Sequence, residues 1–171
     1  MPAYHARSMT DASPPAADLP KTYVPCEHEP SVREAWDAAK VGHADPTTDR
    51  PAYTLLMPPP NVTAALHLGH AFNNTLQDIL ARHYRMRGYE VLWMPGTDHA
   101  GIATQTVVEK RLLAQGQHRT ELGREAFVNL VQQWKDEYEA TITEQLQSLG
   151  CSADWARQRF TMDPICAKAV R

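Results

Sequence analysis

The sequence predicts an α/β fold of parallel strands with flanking helices, and three observations carry that prediction. Two short apolar runs, YTLLM at 53–57 and EVLWM at 90–94, are each stopped by proline, as expected of strands buried on both faces of a parallel sheet. A long amphipathic helical pattern lies between them, and a second helical pattern follows the second run. Strand, helix, strand, helix with short loops makes a βαβ unit, whose parallel strands are joined by a right-handed crossover. At 171 residues the chain can hold one domain with a real core, or be a piece of a larger one.

Taken in order, residues 1–20 are rich in Pro, Ala, Ser and Asp without any period, and eleven of the 13 prolines fall at or before Pro60. A disordered N-terminal segment is expected there, with Met9 as an alternative start. Over 31–40 a short helix is predicted, with Ser31 as N-cap, Glu34 three residues on, and Val32, Ala35, Trp36 and Ala39 at helical spacing. The helix predicted over 67–87 aligns Leu68, Phe72, Leu76, Ile79, Leu80, His83 and Tyr84 in one stripe and stops at Gly88. A further helix is predicted over 102–115, and a long one over 124–149 with Phe127, Leu130, Val131, Trp134, Tyr138, Ile142, Leu146 and Leu149 on one face. The opposite face of that helix, with Gln132, Lys135, Glu137, Glu139 and Glu144, reads as solvated. Asp163 and Pro164 look like the N-cap and first residue of a last helix, 165–171, that ends without a cap. With only two clear strands, 21–171 is expected to be part of a domain, truncated.

Composition narrows the class. A formal charge of −3 and a pI near 6.2 give no global electrostatic case for binding nucleic acid. Cys26, Cys151 and Cys166 lie far apart, which argues against a disulfide framework and against a cysteine zinc site. No run approaches the roughly 18 apolar residues of a membrane span, and the N-terminus has no signal-peptide core. Asp11 and Asp18 also sit badly with a transit peptide. A soluble, cytoplasmic protein without a membrane partner is expected.

The chemistry concentrates at the two strand ends. In PPPNVTAALHLGHAF, Pro58 to Phe72, an apolar strand runs through three prolines and a polar turn into two histidines that open a helix. His67 and His70, three apart in a first helical turn, lean to one face beside a helix N-terminus, where an anion is favoured. Gly69 between them lets a flat ring or a phosphate approach the backbone. Asn61 and Thr63 sit at the first strand end, and Thr97, Asp98 and His99 at the second; ligands in open α/β sheets bind just beyond such ends. Alternatives stand beside each reading. His67 and His70 could be an ordinary cap and a surface histidine, or, with Asp98 and His99, the metal ligands of a hydrolase. Asp98 could be a plain N-cap, Pro58, Pro59 and Pro60 a stiff linker, and the whole a non-catalytic binding fragment. Arg82, Arg85 and Arg87 read as a solvated helix end beside a favourable dipole, with RNA contact as the other option.

The segment from Pro60 to His70 resembles the HIGH motif of class I aminoacyl-tRNA synthetases, and its PPPNVT lead-in resembles that of the valyl-tRNA synthetases. GTDHAGIATQ, Gly96 to Gln105, is similar to a second block of the valyl family, with GREAF (Gly123 to Phe127) and DWARQRFTMD (Asp154 to Asp163) extending the likeness over nearly all of the chain beyond Thr22. The resemblance implies the first half of a class I synthetase Rossmann-like nucleotide-binding domain. It implies a valine--tRNA ligase activity: valine and ATP, with Mg2+, form valyl-adenylate, and the valyl group passes to tRNA(Val). His67 and His70 would contact the ATP phosphates as catalytic groups, with Thr63 and Gly69 completing the ATP site. Pro58, Pro59, Pro60, Asn61 and Asp98 would line the valine site, Asp98 pairing with the α-ammonium. No protein-bound metal is implied, and the intact enzyme would act as a monomer.

The resemblance also marks departures. Ala64 and Ala65 stand where the family commonly has Gly and Ser, a change tolerated unless Ala64 needs a positive φ. The KMSKS loop, the second half of the nucleotide fold, the editing domain and the anticodon-binding helices are not in this sequence. A size-excluding pocket cannot by itself reject threonine, a limit for which the valyl enzymes are a well-known instance, so the family edits in a separate domain. The chain alone is therefore expected not to aminoacylate tRNA.

Overall fold

The computed structural model describes residues 21–171, so the expected disordered segment over 1–20 lies outside the described residues. Both predicted strands form: β1 (Ala52–Leu56) pairs in parallel with β2 (Glu90–Met94), Leu56 opposite Met94. The ladder then breaks at the prolines and resumes. The Met57 amide donates to the Met94 carbonyl, Asn61 stands opposite Asp98, and the Asp98 amide donates to the Pro60 carbonyl. The first run advances five positions between Leu56 and Asn61 where the second advances four between Met94 and Asp98. The triple proline is thus a bulge, placed where a residue without an N–H costs no ladder bond. A third strand was not evident from pattern. β3 (Gly96–Thr97), the continuation of β2 past buried Pro95, pairs in parallel with β4 (Arg159–Phe160).

The expectation of strands buried on both faces is corrected for β1. Tyr53 and Leu55 turn toward the core and Tyr53 stacks on Tyr84, but Leu56 is 69% exposed. No described element covers the second face, so β1 alternates as a half-buried strand does.

The helix between β1 and β2, α2 (Leu68–Met86), matches the predicted span but not the predicted face. Leu68, Phe72, Leu76, Ile79 and Leu80 are exposed, and the residues turned inward are Asn74 and Ala81. The reason is close approach: small Ala81 lies against Val91 and Trp93, and Gln77 accepts a hydrogen bond from the Trp93 indole at 2.9 Å. Hydrophobic period names a stripe that gains from burial; it does not name the side on which the sheet lies. Arg82 and Arg85 are not a solvated end either. Arg82 binds Asp78 and the Gly150 carbonyl, and Arg85 binds Ser152, clamping α2 to the segment after the long helix.

The first helix, α1 (Pro25–Ala39), starts six residues before the predicted N-cap, with Pro25 supplying the favoured first-turn proline. Ser31 lies inside it, its hydroxyl donating to the His28 carbonyl. α1 buries nothing and is held by Arg33 on Glu144 and by Trp36 beneath Arg82. After β3 come α3 (Gly101–Ala114), the short α4 (Arg119–Leu122) and α5 (Arg124–Ser148). Ile142 and Leu146 of α5 enter the main core with Met57, Val62 and Trp93, while Phe127 packs with Val108 and Leu112 of α3 in a second cluster. α6 (Pro164–Val170) begins as predicted, the Asp163 side chain accepting from the Cys166 amide at 2.8 Å. Among the described residues no helix is long and apolar enough to cross a membrane.

Candidate active site

The two strand ends meet through the Asn61–Asp98 bridge, so the PNVT turn and the TDHAG turn lie side by side beyond the sheet. α5 fixes the first turn at both ends: the Trp134 indole donates to the Val62 carbonyl, and Gln145 accepts from the Leu66 amide at 2.9 Å. Pro60 is buried against this frame, while Pro58 and Pro59 are exposed and Asn61 stands open beside Asp98. Thr63 is half-buried in the turn, and Ala64 is not among the residues with positive φ, so alanine there is unstrained.

His67 is the N-cap of α2, and the two histidines form a reciprocal capping box. The Gly69 amide donates to His67 Nδ1 at 3.1 Å and the His67 amide donates to His70 Nδ1 at 3.2 Å. Each Nδ1 is therefore an acceptor, which puts the proton of each neutral ring on Nε2. Two N–H donors thus stand beside each other, ring centroids 4.0 Å apart, at the helix end that favours anions. Burial first, and the neighbouring His67 second, push His70 below its ordinary titration range, which keeps it neutral. Gly69 has a reason beyond ligand access. A Cβ there would lie 2.9 Å from His67 Cε1, displacing the capping ring.

The second turn is held from inside. Thr97, 2% exposed, donates to Glu139 of α5, whose other oxygen meets Lys135. Burial and the Asp136 and Glu139 carboxylates act in opposition on Lys135, and the carboxylates win, holding its pKa above the ordinary value. The solvated reading of Lys135 and Glu139 is corrected accordingly. The Asp98 carboxylate accepts from the Thr161 hydroxyl at 2.8 Å and lies 3.3 Å from His99 Nδ1. Asp98 is not the N-cap of α3. Ala100 holds that position in the left-handed region, φ 44°, with no side-chain cap, and the Thr104 hydroxyl ties down the His99 carbonyl.

A cleft of about 890 Å3 opens beside His99 between α3, α4 and α5. The sequence reading missed Thr161 and Glu139 as site residues, since their partners are 63 and 42 positions away. Only the FTMD block within the resembling region marked Thr161. The hydrolase alternative finds no ligand set, because no three His, Cys, Asp or Glu side chains among the described residues gather at metal-binding distances.

Comparison with known proteins bears on the whole of this region. The model of the tRNA synthetases class I (I, L, M and V) matches residues 31–171. A valine--tRNA ligase of Rhodopirellula baltica is 56% identical over 91% of this chain and 15% of its own length. Those of Geobacter sulfurreducens and Thermus thermophilus are 56% and 54% identical over 90% of this chain, and over 17% and 18% of their own. The chain therefore spans under a fifth of the length of these relatives. Among solved structures, the Agrobacterium radiobacter K84 agnB2 LeuRS, crystallised as a LeuRS-tRNA-LeuAMS complex, covers 85% of this chain and 17% of its own at TM-score 0.70 and 23% identity, a likeness of fold. Parallel strands, the capped histidine pair and a family match running from Ser31 to the last residue lead to one conclusion: the chain belongs to the class I tRNA synthetases (I, L, M and V).

Proposed function

We propose that this chain carries the adenylate-forming half-site of a valine--tRNA ligase and needs further polypeptide to complete the reaction. The observation that supports this best is the pair of Nε2–H donors at the N-terminus of α2, set beside a strand end that bears the half-exposed Asp98 carboxylate. In this reading ATP, with its Mg2+, lays its phosphates against His67 and His70, with Thr63 and Gly69 close to the nucleotide. The α-ammonium of valine pairs with the Asp98 oxygen that Thr161 leaves free, a charge-assisted contact. Asn61 and the walls from Pro58, Pro59 and Pro60 bound the amino acid. A valine carboxylate oxygen attacks the α-phosphorus, pyrophosphate leaves, and preorganised donors stabilise the charge that develops. The valyl group then passes to tRNA(Val). A cytoplasmic setting and a monomeric intact enzyme belong to the same reading, with residues 21–171 as the HIGH-motif half of the catalytic domain.

Calorimetric titration tests it. Valine binds the chain and loses about tenfold or more in affinity with Asp98→Asn, as expected for a lost charged partner. ATP–pyrophosphate exchange by the chain alone stays at background. Valine binding unchanged in Asp98→Asn would sink the reading, and full exchange activity would sink the half-site assignment.

A further inference from the structure

Thr161 decides the protonation of His99. Its one hydroxyl proton goes to Asp98 Oδ1 at 2.8 Å, the carboxylate being the strongest acceptor near it, while its oxygen accepts the His99 amide at 2.9 Å. His99 Nδ1 lies 2.7 Å from the same oxygen and 3.3 Å from Asp98 Oδ1. A lone pair there would face two oxygens with no proton between them. Nδ1 therefore carries the proton, and Nε2 is left as a bare acceptor, with no hydrogen-bond partner among the described residues. This is the reverse of His67 and His70.

The ring lines the cleft of about 890 Å3, a volume that fits a nucleotide. Phe127 and Phe160 form apolar walls, and Lys135 lies 4.9 Å over the Phe160 ring. Lys135 is already paired with Asp136 and Glu139, and Arg119 with Glu109; Arg124 on the same wall has no ion pair among the described residues. An aromatic wall, a free guanidinium and a lone-pair acceptor suit a single-stranded nucleotide end.

Resting on the ligase reading above, we propose that His99 Nε2 accepts the hydrogen bond of the 3′-terminal ribose hydroxyl of the acceptor RNA, whose last nucleotide occupies this cleft with a phosphate at Arg124. In transfer, the ribose oxygen bonds to the valyl carbonyl carbon, and the bond from that carbon to the adenylate oxygen breaks. The electron pair leaves on the AMP phosphate, and the hydroxyl proton goes to Nε2. Asp98 and Thr161 hold the ring so that the lone pair faces the cleft.

Long-range 1H–15N spectra of the full chain read the tautomer directly. The expected result is His99 protonated on Nδ1, kept in Thr161→Ser and shifted toward Nε2–H in Thr161→Val; Nε2–H in the unaltered chain overturns the proposal. Binding of a short single-stranded RNA is compared with the same strand ending in a 2′,3′-dideoxyribose. About a tenfold preference for the hydroxyl end is expected, since His99 Nε2 loses its hydrogen-bond donor without it. His99→Phe abolishes the preference, and Arg124→Ala weakens both strands alike. Equal binding of the two strands, or no binding of either, overturns the proposal. Failure of valine to bind while the end preference persists would instead sink the ligase reading.

Discussion

The two strand-to-helix turns lie side by side and have opposite constructions. The turn after β1 is local and open: His67 and His70 cap their own helix, and Leu68 and Phe72 just beyond are 84% and 67% exposed. The turn after β2 is remote and closed. Trp93 and Thr97 are buried, and Glu139 and Thr161 reach in from later elements. The same side-chain type therefore ends up in two chemical states. Local capping leaves His67 and His70 as donors, and the Thr161 hub leaves His99 as an acceptor.

The largest test of this contrast truncates an aromatic on each side. Trp93→Ala is expected to cost about 3–5 kcal/mol in urea unfolding, since the fully buried ring cannot be replaced by collapse. Phe72→Ala is expected to stay within about 0.5 kcal/mol, because the ring is exposed. Equal costs would mean that another copy or partner covers α2 in solution. Next in size, Glu139→Leu strands the buried Thr97 hydroxyl and leaves Lys135 with Asp136 alone, for a loss of about 1–3 kcal/mol by the same assay. No loss would show that the second turn is held by packing only.

The smallest effect is a pH dependence confined to the first turn. His70 titrates below its free value of 6.5, so the unfolded chain takes up a proton first as pH falls. Its contribution to stability is full above that value and is lost as pH falls through the folded one. His70→Gln should flatten this part of the stability profile between neutral and mildly acidic pH. An unchanged slope would assign it to other groups.

What could be read from the sequence was local. The alternation of YTLLM and EVLWM with helical periods yielded β1, β2, α2, α3 and α5 nearly at their observed bounds, and Asp163-Pro164 marked the start of α6. The pairing of His67 with His70 followed from their spacing of three. Two short strands, β3 and β4, were missed because two residues carry no period. The α1 start was misplaced because Ser31 with Glu34 has the form of a capping box, whereas the helix begins at Pro25, a favoured first-turn residue, and runs on through Pro30.

Sequence by itself determined the strand and helix order, the proline stops, and the placing of His67 and His70 together at a helix start, since each depends on contacts within a few residues. Tertiary structure alone decided which face of α2 is inward, that Glu139 is no surface charge, and which nitrogen of His99 bears the proton. The physical reason is the reach of the interactions. A hydrogen bond to a residue 62 positions away has no trace in local spacing, yet it sets His99's chemistry as firmly as the backbone sets His67's.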